Sequence, residues 1–336
     1  MSDPVVLTSY EDKLSAAEIR GRCLQGAGVL CWSVSPTGEV HFLLGKESDF
    51  RRGHQRKMKG WCDFGGCSKN HSSMGETALQ TASREFLEET CHMVSLAPDA
   101  TDYKSVLNLL SQPSDDPIIT TRAQKSKRRC YVCFIRRIAW DPDIPLRFTN
   151  VRALLSRIYQ DASYVHQLNK QLPHIDPYYR PGMAEPGGLC HIVSGEPQFV
   201  IRAVRDAALD GTMLRIQMET QSATKWYQFP VNPNDKFVSR YISWVKARQL
   251  LLRNYLSLPL EVQYHPSIRA QHKYGHVNGV TVNPDYLEKS DIAWWSMSQL
   301  QSDLASSDHF SPFRPCFRSV IRVVLQHFTD NKLLLR

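Results

Sequence analysis

Residues Gly65 to Glu89 read GGCSKNHSSMGETALQTASREFLEE, and the second half of this stretch decides the fold. Two glycines follow an apolar lead-in, Trp61-Cys62-Asp63-Phe64. A loop of Ser, Lys, Asn and His comes next, and Gly75-Glu76-Thr77 opens a helix. Thr77, Ala78, Leu79, Ala82, Phe86 and Leu87 recur at the spacing that gives a helix one buried side. Arg84-Glu85 and Glu88-Glu89 close it. Glu85, Glu88 and Glu89 stand at i, i+3 and i+4, so their carboxylates share one face about a turn long. Like charges so placed cost about 0.2–0.5 kcal/mol per pair in an isolated helix. A bound hard cation reverses that sign, and carboxylate oxygens are what Mg²⁺ and Mn²⁺ prefer.

The surrounding chain has 336 residues, 42% of them hydrophobic and 22% charged, and a formal net charge of +8. That composition is globular rather than disordered. An acidic metal site inside a basic protein suits polyanionic substrates, because the overall field steers them in. The nine cysteines have no framework spacing. Cys130 and Cys133 lie in an alternating, strand-like run that points them to opposite faces, which argues against a zinc site. The thiols therefore read as reduced, in an intracellular, cytoplasmic setting (the host's cytoplasm for a viral protein). The N-terminus MSDPVVLTSYEDK lacks the features of a signal peptide, and no apolar run approaches membrane-spanning length.

Along the chain, a short helix is expected around Ala16 to Leu24. Gly26–Trp32 and Val40–Gly45 form a hairpin across the turn Ser35-Pro36-Thr37-Gly38. Cys91–Leu96 reads as a short strand, 101–126 as loop and a short helix, and 130–138 as a strand. Helical patterns follow at Val151–Leu172, with Leu154, Leu155, Ile158, Val165 and Leu168 on a face, and at Ser239–Leu256. In the latter Ile242, Val245, Leu250, Leu252 and Leu256 form the apolar side among Arg240, Lys246, Arg248 and Arg253. Asp291–Trp295 is a strand pattern, and Ser296–Leu304 a capped helical turn. Phe313–Phe328 is an amphipathic helix with Phe317, Val320, Ile321, Val324, Leu325 and Phe328 on one side. Two basic runs could clamp phosphates: 51–59, with Arg56, Lys57 and Lys59, and 125–129, with Lys127, Arg128 and Arg129. Tyr178-Tyr179-Arg180 and Trp226-Tyr227-Gln228-Phe229 place aromatics near cations. Such residues can sandwich a base, although packing is the commoner use.

Gly65-Gly66, Gly75-Glu76 and Arg84-Glu85-x-x-Glu88-Glu89 together resemble the Nudix box, G-x5-E-x7-R-E-U-x-E-E-x-G-U with U apolar. From Glu76 to Glu89 the match is in register. Nine residues instead of five separate Gly66 from Glu76, and Cys91-His92 stands where the family closes on Gly-U. The resemblance implies an α/β fold, an α/β/α sandwich around a mixed sheet, and hydrolysis of a nucleoside diphosphate linked to another group. By position, Glu85, Glu88 and Glu89 would be ligands of Mg²⁺ or Mn²⁺, and Arg84 would orient them. Gly66, Gly75 and Glu76 would support the loop and the helix start. Glu288, with Asp291 nearby, would supply the general base from the loop before the last strand.

The family's closing strand and helix are found only near the C-terminus. The expected organisation is therefore a lead at 1–25, a Nudix domain from 26–139 and 286–336, and a mainly helical, substrate-recognising insertion at 140–285. A complete domain ending near 150 with a separate C-terminal domain is the runner-up. Large, inserted, basic members of the family resemble mRNA-decapping enzymes, which makes a nucleotide or the capped 5′ end of an RNA the expected partner. The alternatives are a small-molecule pyrophosphatase acting on dinucleoside polyphosphates, nucleotide sugars or inositol pyrophosphates, and a non-catalytic Nudix-fold binding module. Membrane partners are not expected, and the sequence does not set the oligomeric state.

Overall fold

The computed structural model describes residues 4–48, 60–69, 75–122, 129–171, 199–206, 211–219, 224–230, 236–273, 275–305 and 311–330. In chain order the elements are β1 (Val5–Leu7), α1 (Tyr10–Ala17), β2 (Leu24–Val34), β3 (Val40–Glu47), β4 (Trp61–Cys62), β5 (Phe64–Cys67), α2 (Ala78–Glu89), α3 (Tyr103–Ser111), β6 (Ile118–Arg122), β7 (Cys130–Arg137), α4 (Ile144–Gln171), β8 (Phe199–Asp206), β9 (Gly211–Glu219), β10 (Thr224–Pro230), α5 (Lys236–Leu256), α6 (Leu260–Gln263), β11 (Ile268–Lys273), β12 (His276–Val282), β13 (Lys289–Ser296), α7 (Met297–Ala305) and α8 (Pro315–Asp330). Two compact units result, one from 1–155 with 283–336, the other from 156–282.

The first unit is built on an eight-stranded mixed sheet in the order β1-β6-β7-β2-β3-β13, with β4 on β3 and β5 on β2. The β2–β7 pair is parallel and the other pairs are antiparallel. Side chains alternate along the strands, and the two faces pack differently. Leu30, Trp32, Val40, Phe42, Leu44 and Ile135 join one core with Phe317, Val320, Ile321, Val324, Leu325 and Phe328 of α8. The intervening Val29, Cys31, Leu43 and Phe134 are also buried, and α2 lies along β2 and β5. Helices thus cover both faces of a mixed sheet, and all six apolar positions expected on the closing helix are buried. Phe328 meets Trp32 and Phe42 edge-on, with ring centroids 4.9 and 5.2 Å apart.

Several local expectations are corrected. The first helix is Tyr10–Ala17, not 16–24. Ser9 caps it by accepting from the Asp12 amide at 3.2 Å, and Gly21, with φ +62°, turns the chain before β2. No strand forms at 91–96. That segment is turn and coil, because Cys91 and His92 both take positive φ, 50° and 56°. Strands β1 and β6, paired at one edge of the sheet, carry too few alternating residues to announce themselves.

Among the described residues the segment 140–285 carries five strands besides its helices. In the second unit β8, β9 and β10 form a three-stranded antiparallel sheet, and β11 pairs with β12. The period-two pattern Leu214, Ile216, Met218 along β9 is the strand signal that the frequent prolines obscure. Among the described side chains of α5 the buried ones are Trp244, Ala247, Leu251 and Tyr255, spaced by three and four; Ile242 and Val245 of the expected face lie outside them. Leu250 and Leu256, expected to be buried, are instead 42% and 59% exposed. Trp244 draws the buried stripe toward itself because it is the largest apolar group available.

Removing the Phe328 ring should cost about 3–5 kcal/mol of stability, the usual loss for a buried Phe→Ala change. Urea unfolding of Phe328→Ala checks this, and a loss under about 1 kcal/mol would mean that α8 does not close the core.

Candidate functional site

The acidic helix α2 is set up locally. Thr77 caps it: its hydroxyl accepts from the Gln80 amide at 3.1 Å, and the Gln80 side chain accepts from the Thr77 amide at 2.9 Å. This reciprocal box satisfies two otherwise orphaned donors. Gly75, with φ +67°, makes the left-handed turn into the cap. The far end closes with the Cys91 amide donating to Glu88 O at 3.3 Å and the His92 amide to Leu87 O at 3.1 Å. These are the paired bonds of a Schellman motif. Glycine normally occupies its left-handed position, and a non-glycine residue there costs on the order of 1–2 kcal/mol. The side chains offset this by tying the helix end to the segment before β13. Cys91 Sγ donates to Tyr286 O at 3.1 Å. His92 contacts Thr101 O at 3.0 Å and the Tyr286 hydroxyl at 3.2 Å, and its ring stacks on Tyr286.

Glu85, Glu88 and Glu89 fall in the second half of α2 and are all buried. A helix C-terminus carries partial negative charge, and the last turn of α2 has no basic residue of its own. The compensating cations come from two other places. Arg84 donates through Nε and Nη2 to both oxygens of Glu76, each at 2.9 Å. Its Nη1 reaches Glu85 at 2.7 Å and Glu88 at 2.9 Å. Lys289, wholly buried, places Nζ 2.8 Å from Glu47, 3.1 Å from Glu89 and 3.0 Å from the Cys62 thiol. The other Glu89 oxygen accepts from the Gly65 amide at 2.6 Å. A Cβ at Gly66 would lie 2.6 Å from the Glu85 carboxylate, so this glycine makes room for the acid.

Burial pushes Glu85, Glu88 and Glu89 above the ordinary carboxylate range, although Arg84 pulls the first two down and Lys289 the third. At Glu76 burial acts the same way, but the Arg84 hydrogen bonds outweigh it and hold the group low. Burial alone would lower Lys69. Its hydrogen bond to Asp285, with Glu88 nearby, holds it up instead. Seven carboxylates (Glu47, Glu76, Glu85, Glu88, Glu89, Asp285, Glu288) thus gather with four cations (Lys69, Arg84, Lys289, Arg314). Among the described residues no group of three or more His, Cys, Asp or Glu is arranged as a metal cage, and the three glutamates lean toward Arg84 and Lys289. The donor chemistry nevertheless fits a hard divalent cation, since the donors are all carboxylate oxygen and negative charge is in excess.

Glu76, Glu85 and Glu88 meet at Arg84, Gly66 lies against Glu85, Glu89 lies on Lys289, and Gly75 makes the turn before the helix. Glu288 is half-buried and near enough to Glu89 to raise its pKa, while the Asp291 carboxylate accepts from the Ile292 amide. Arg129 is exposed just before β7. Arg56, Lys57, Lys59, Lys127 and Arg128 lie outside the described residues, as do Tyr178-Tyr179-Arg180 and the side chains of Trp226, Tyr227 and Phe229. Sequence reasoning missed Lys289, Glu47 and Asp285. Lys289 stands opposite Glu47 in the β13–β3 register, and Asp285 holds Lys69 at 3.0 Å. Neither pairing carries a local signal, because each joins residues over 200 positions apart.

Asp63, just ahead of the glycines, is buried and accepts from the Tyr131 hydroxyl at 2.7 Å. Burial raises its pKa despite that bond. A raised folded-state pKa means that the ionised form is disfavoured in the folded chain. Stability on this account falls as pH rises from the unfolded value toward the folded one.

No family model and no curated protein matches this chain. Among solved structures, a Nudix hydrolase from M. Smegmatis, RenU, is similar at 18% identity with a TM-score of 0.20, over 35% of this chain and 63% of that one. A likeness so slight carries no argument, and the functional reading rests on the residues themselves.

Two outcomes follow from this geometry. Lys289→Met should cost roughly 3–5 kcal/mol, because it strands the buried Glu89 without its cation and leaves Glu47 to Arg314 alone; urea unfolding showing under about 1 kcal/mol would contradict the pairing. Asp63→Asn should be more stable than the parent chain near neutrality, with the margin shrinking toward about pH 4. Melting temperatures across pH test this, and a margin that widens on acidification would overturn it.

Proposed function

We propose that this chain is a metal-dependent Nudix hydrolase that cleaves a diphosphate linkage in a nucleoside diphosphate–X substrate. The observation that carries the reading is the Arg84 cluster. One guanidinium holds Glu76, Glu85 and Glu88 at 2.7–2.9 Å, at the sequence positions where the Nudix box requires these residue types. Glu85, Glu88 and Glu89 are the residues that would hold Mg²⁺ or Mn²⁺. Bound there, the ion supplies Lewis-acid polarisation of a phosphoryl oxygen and a lowered pKa for an adjacent water.

The chain's own groups do the rest. Arg84 ties Glu85 and Glu88 to one side of α2, from which they would turn to a bound cation. Lys289 and the Gly65 amide hold Glu89 from both of its oxygens. Glu288 is the group assigned to take the proton from the attacking water. Lys69, held by Glu88 and Asp285, is the cation of this cluster that we assign to substrate phosphate. The cluster's ion pairs match an enzyme better than a binding module, since mere binding needs no such stack of buried acids.

The substrate is assigned on charge. The formal charge of +8, with Lys246, Arg253 and Arg129 exposed, favours a polyanion, and we take the capped 5′ end of an RNA as the first candidate. Cap-labelled RNA beside a panel of dinucleoside polyphosphates, nucleotide sugars and inositol pyrophosphates, each with and without Mn²⁺, tests the assignment by product identity. Release of a capped nucleoside diphosphate, with affinity falling steeply as salt is raised, is the expected result. Turnover of a small nucleotide alone would replace RNA as the substrate. Glu88→Gln should keep the fold and lose about 10²-fold or more in kcat; a parental rate would remove Glu88 from the chemistry.

A further inference from the structure

A second pair of cations, the buried Arg136 and the half-buried Lys13, shares no residue with the acidic cluster. A cavity of about 70 Å³ lies between α1, α3 and the start of β6, several times the space one water needs. Its walls are largely apolar, from Leu14, Leu79, Pro113 and Ile118. Two cations line it, Lys13 and Arg136. Arg136 is only 8% exposed. Its Nη1 donates to Ile135 O at 2.8 Å and its Nη2 to Leu110 O at 2.9 Å, while Nε is buried with no partner. Lys13 donates to Ser114 O at 2.7 Å. Neither cation has a carboxylate within ion-pair distance among the described residues.

Asp115 and Asp116 draw on Lys13 and Asp116 on Arg136 through space, but neither acid reaches a cavity cation at contact distance. Asp116 accepts from the Trp32 indole at 2.9 Å and from the Arg137 amide at 3.0 Å. Glu18, which also lines the cavity, pairs with Arg20 at 2.9 Å. A desolvated guanidinium with an unused donor, beside an ammonium, is costly unless an anion completes it. The carbonyl of Leu110, at the end of α3, offsets part of that charge but leaves Nε–H unused. Burial and then the proximity of Arg136 lower the Lys13 pKa, against the smaller opposing pull of Asp115 and Asp116.

We infer that this cavity is a binding site for a small oxyanion, a phosphate or carboxylate group held by Arg136 and Lys13 with its remaining body against the apolar walls. Phosphate monoesters and carboxylates share the planar or tetrahedral oxygen array that a guanidinium recognises.

The test is calorimetric titration of the full chain with inorganic phosphate and, separately, with acetate. Both are run in EDTA and at constant ionic strength set with chloride, so that divalent-dependent binding at the acidic helix does not contribute. Saturable binding of either ion is expected, weakened about tenfold or more in Lys13→Gln, whose amide can keep the bond to Ser114. The melting temperature of that variant without ligand should stay at the parental value. Arg136→Lys, which keeps the charge but loses the fork, should weaken binding too. A response to phosphate alone, or to acetate alone, identifies which oxyanion the site takes. No saturable binding of either, or binding unchanged in both variants, would overturn the inference.

Discussion

Three carboxylates on one turn at the C-terminal end of a buried helix are the constraint that the first unit is arranged to meet. The helix dipole disfavours negative charge there, burial removes the water that would screen it, and the acids repel one another. The sequence of α2 supplies one cation, Arg84, a turn earlier. The second, Lys289, comes from the first residue of β13. The mixed sheet, with β13 against β3, delivers that lysine between Glu47 and Glu89. The fold and the charge balance are therefore one problem: without the closing strand and the α8 core that holds it, Glu89 would have no counter-charge.

The same constraint explains the helix end. Left-handed Cys91 and His92 are strained, yet their side chains anchor the Tyr286 segment to α2. That segment carries Asp285 and Glu288, the two acids brought to the cluster from the far end of the chain. A glycine at position 91 would relieve the backbone but surrender the buried thiol contact, so the departure from the usual helix terminator has a structural use.

What was legible in the sequence was whatever is written in short-range spacing. The acidic face of α2, the β2–β3 hairpin and the six buried positions of α8 all follow from periodicities of two or about 3.6 residues. That Arg84 orients the glutamates was implied only by the resemblance to the Nudix box, and its hold on Glu76 was not foreseen. The pairings of Lys289 with Glu47 and of Lys69 with Asp285 are set by strand register across the whole unit, which no local pattern encodes. The strands β8 to β12 were hidden for another reason. Prolines and turn residues break 140–285 into short pieces, and within a short apolar run helix and strand periods are hard to separate. Leu250 and Leu256 of α5 were misjudged because leucines were counted while Trp244 and Tyr255, with larger apolar surfaces, take buried positions.

The account stands on α2 being a divalent-cation site rather than a self-contained ion network. Calorimetric titration of the full chain with Mn²⁺ tests this most directly. A saturable site in the parent chain, abolished by Glu85→Gln in a protein that keeps its fold, is the predicted result. Absence of Mn²⁺ binding in the parent chain, or binding undiminished in Glu85→Gln, would contradict it.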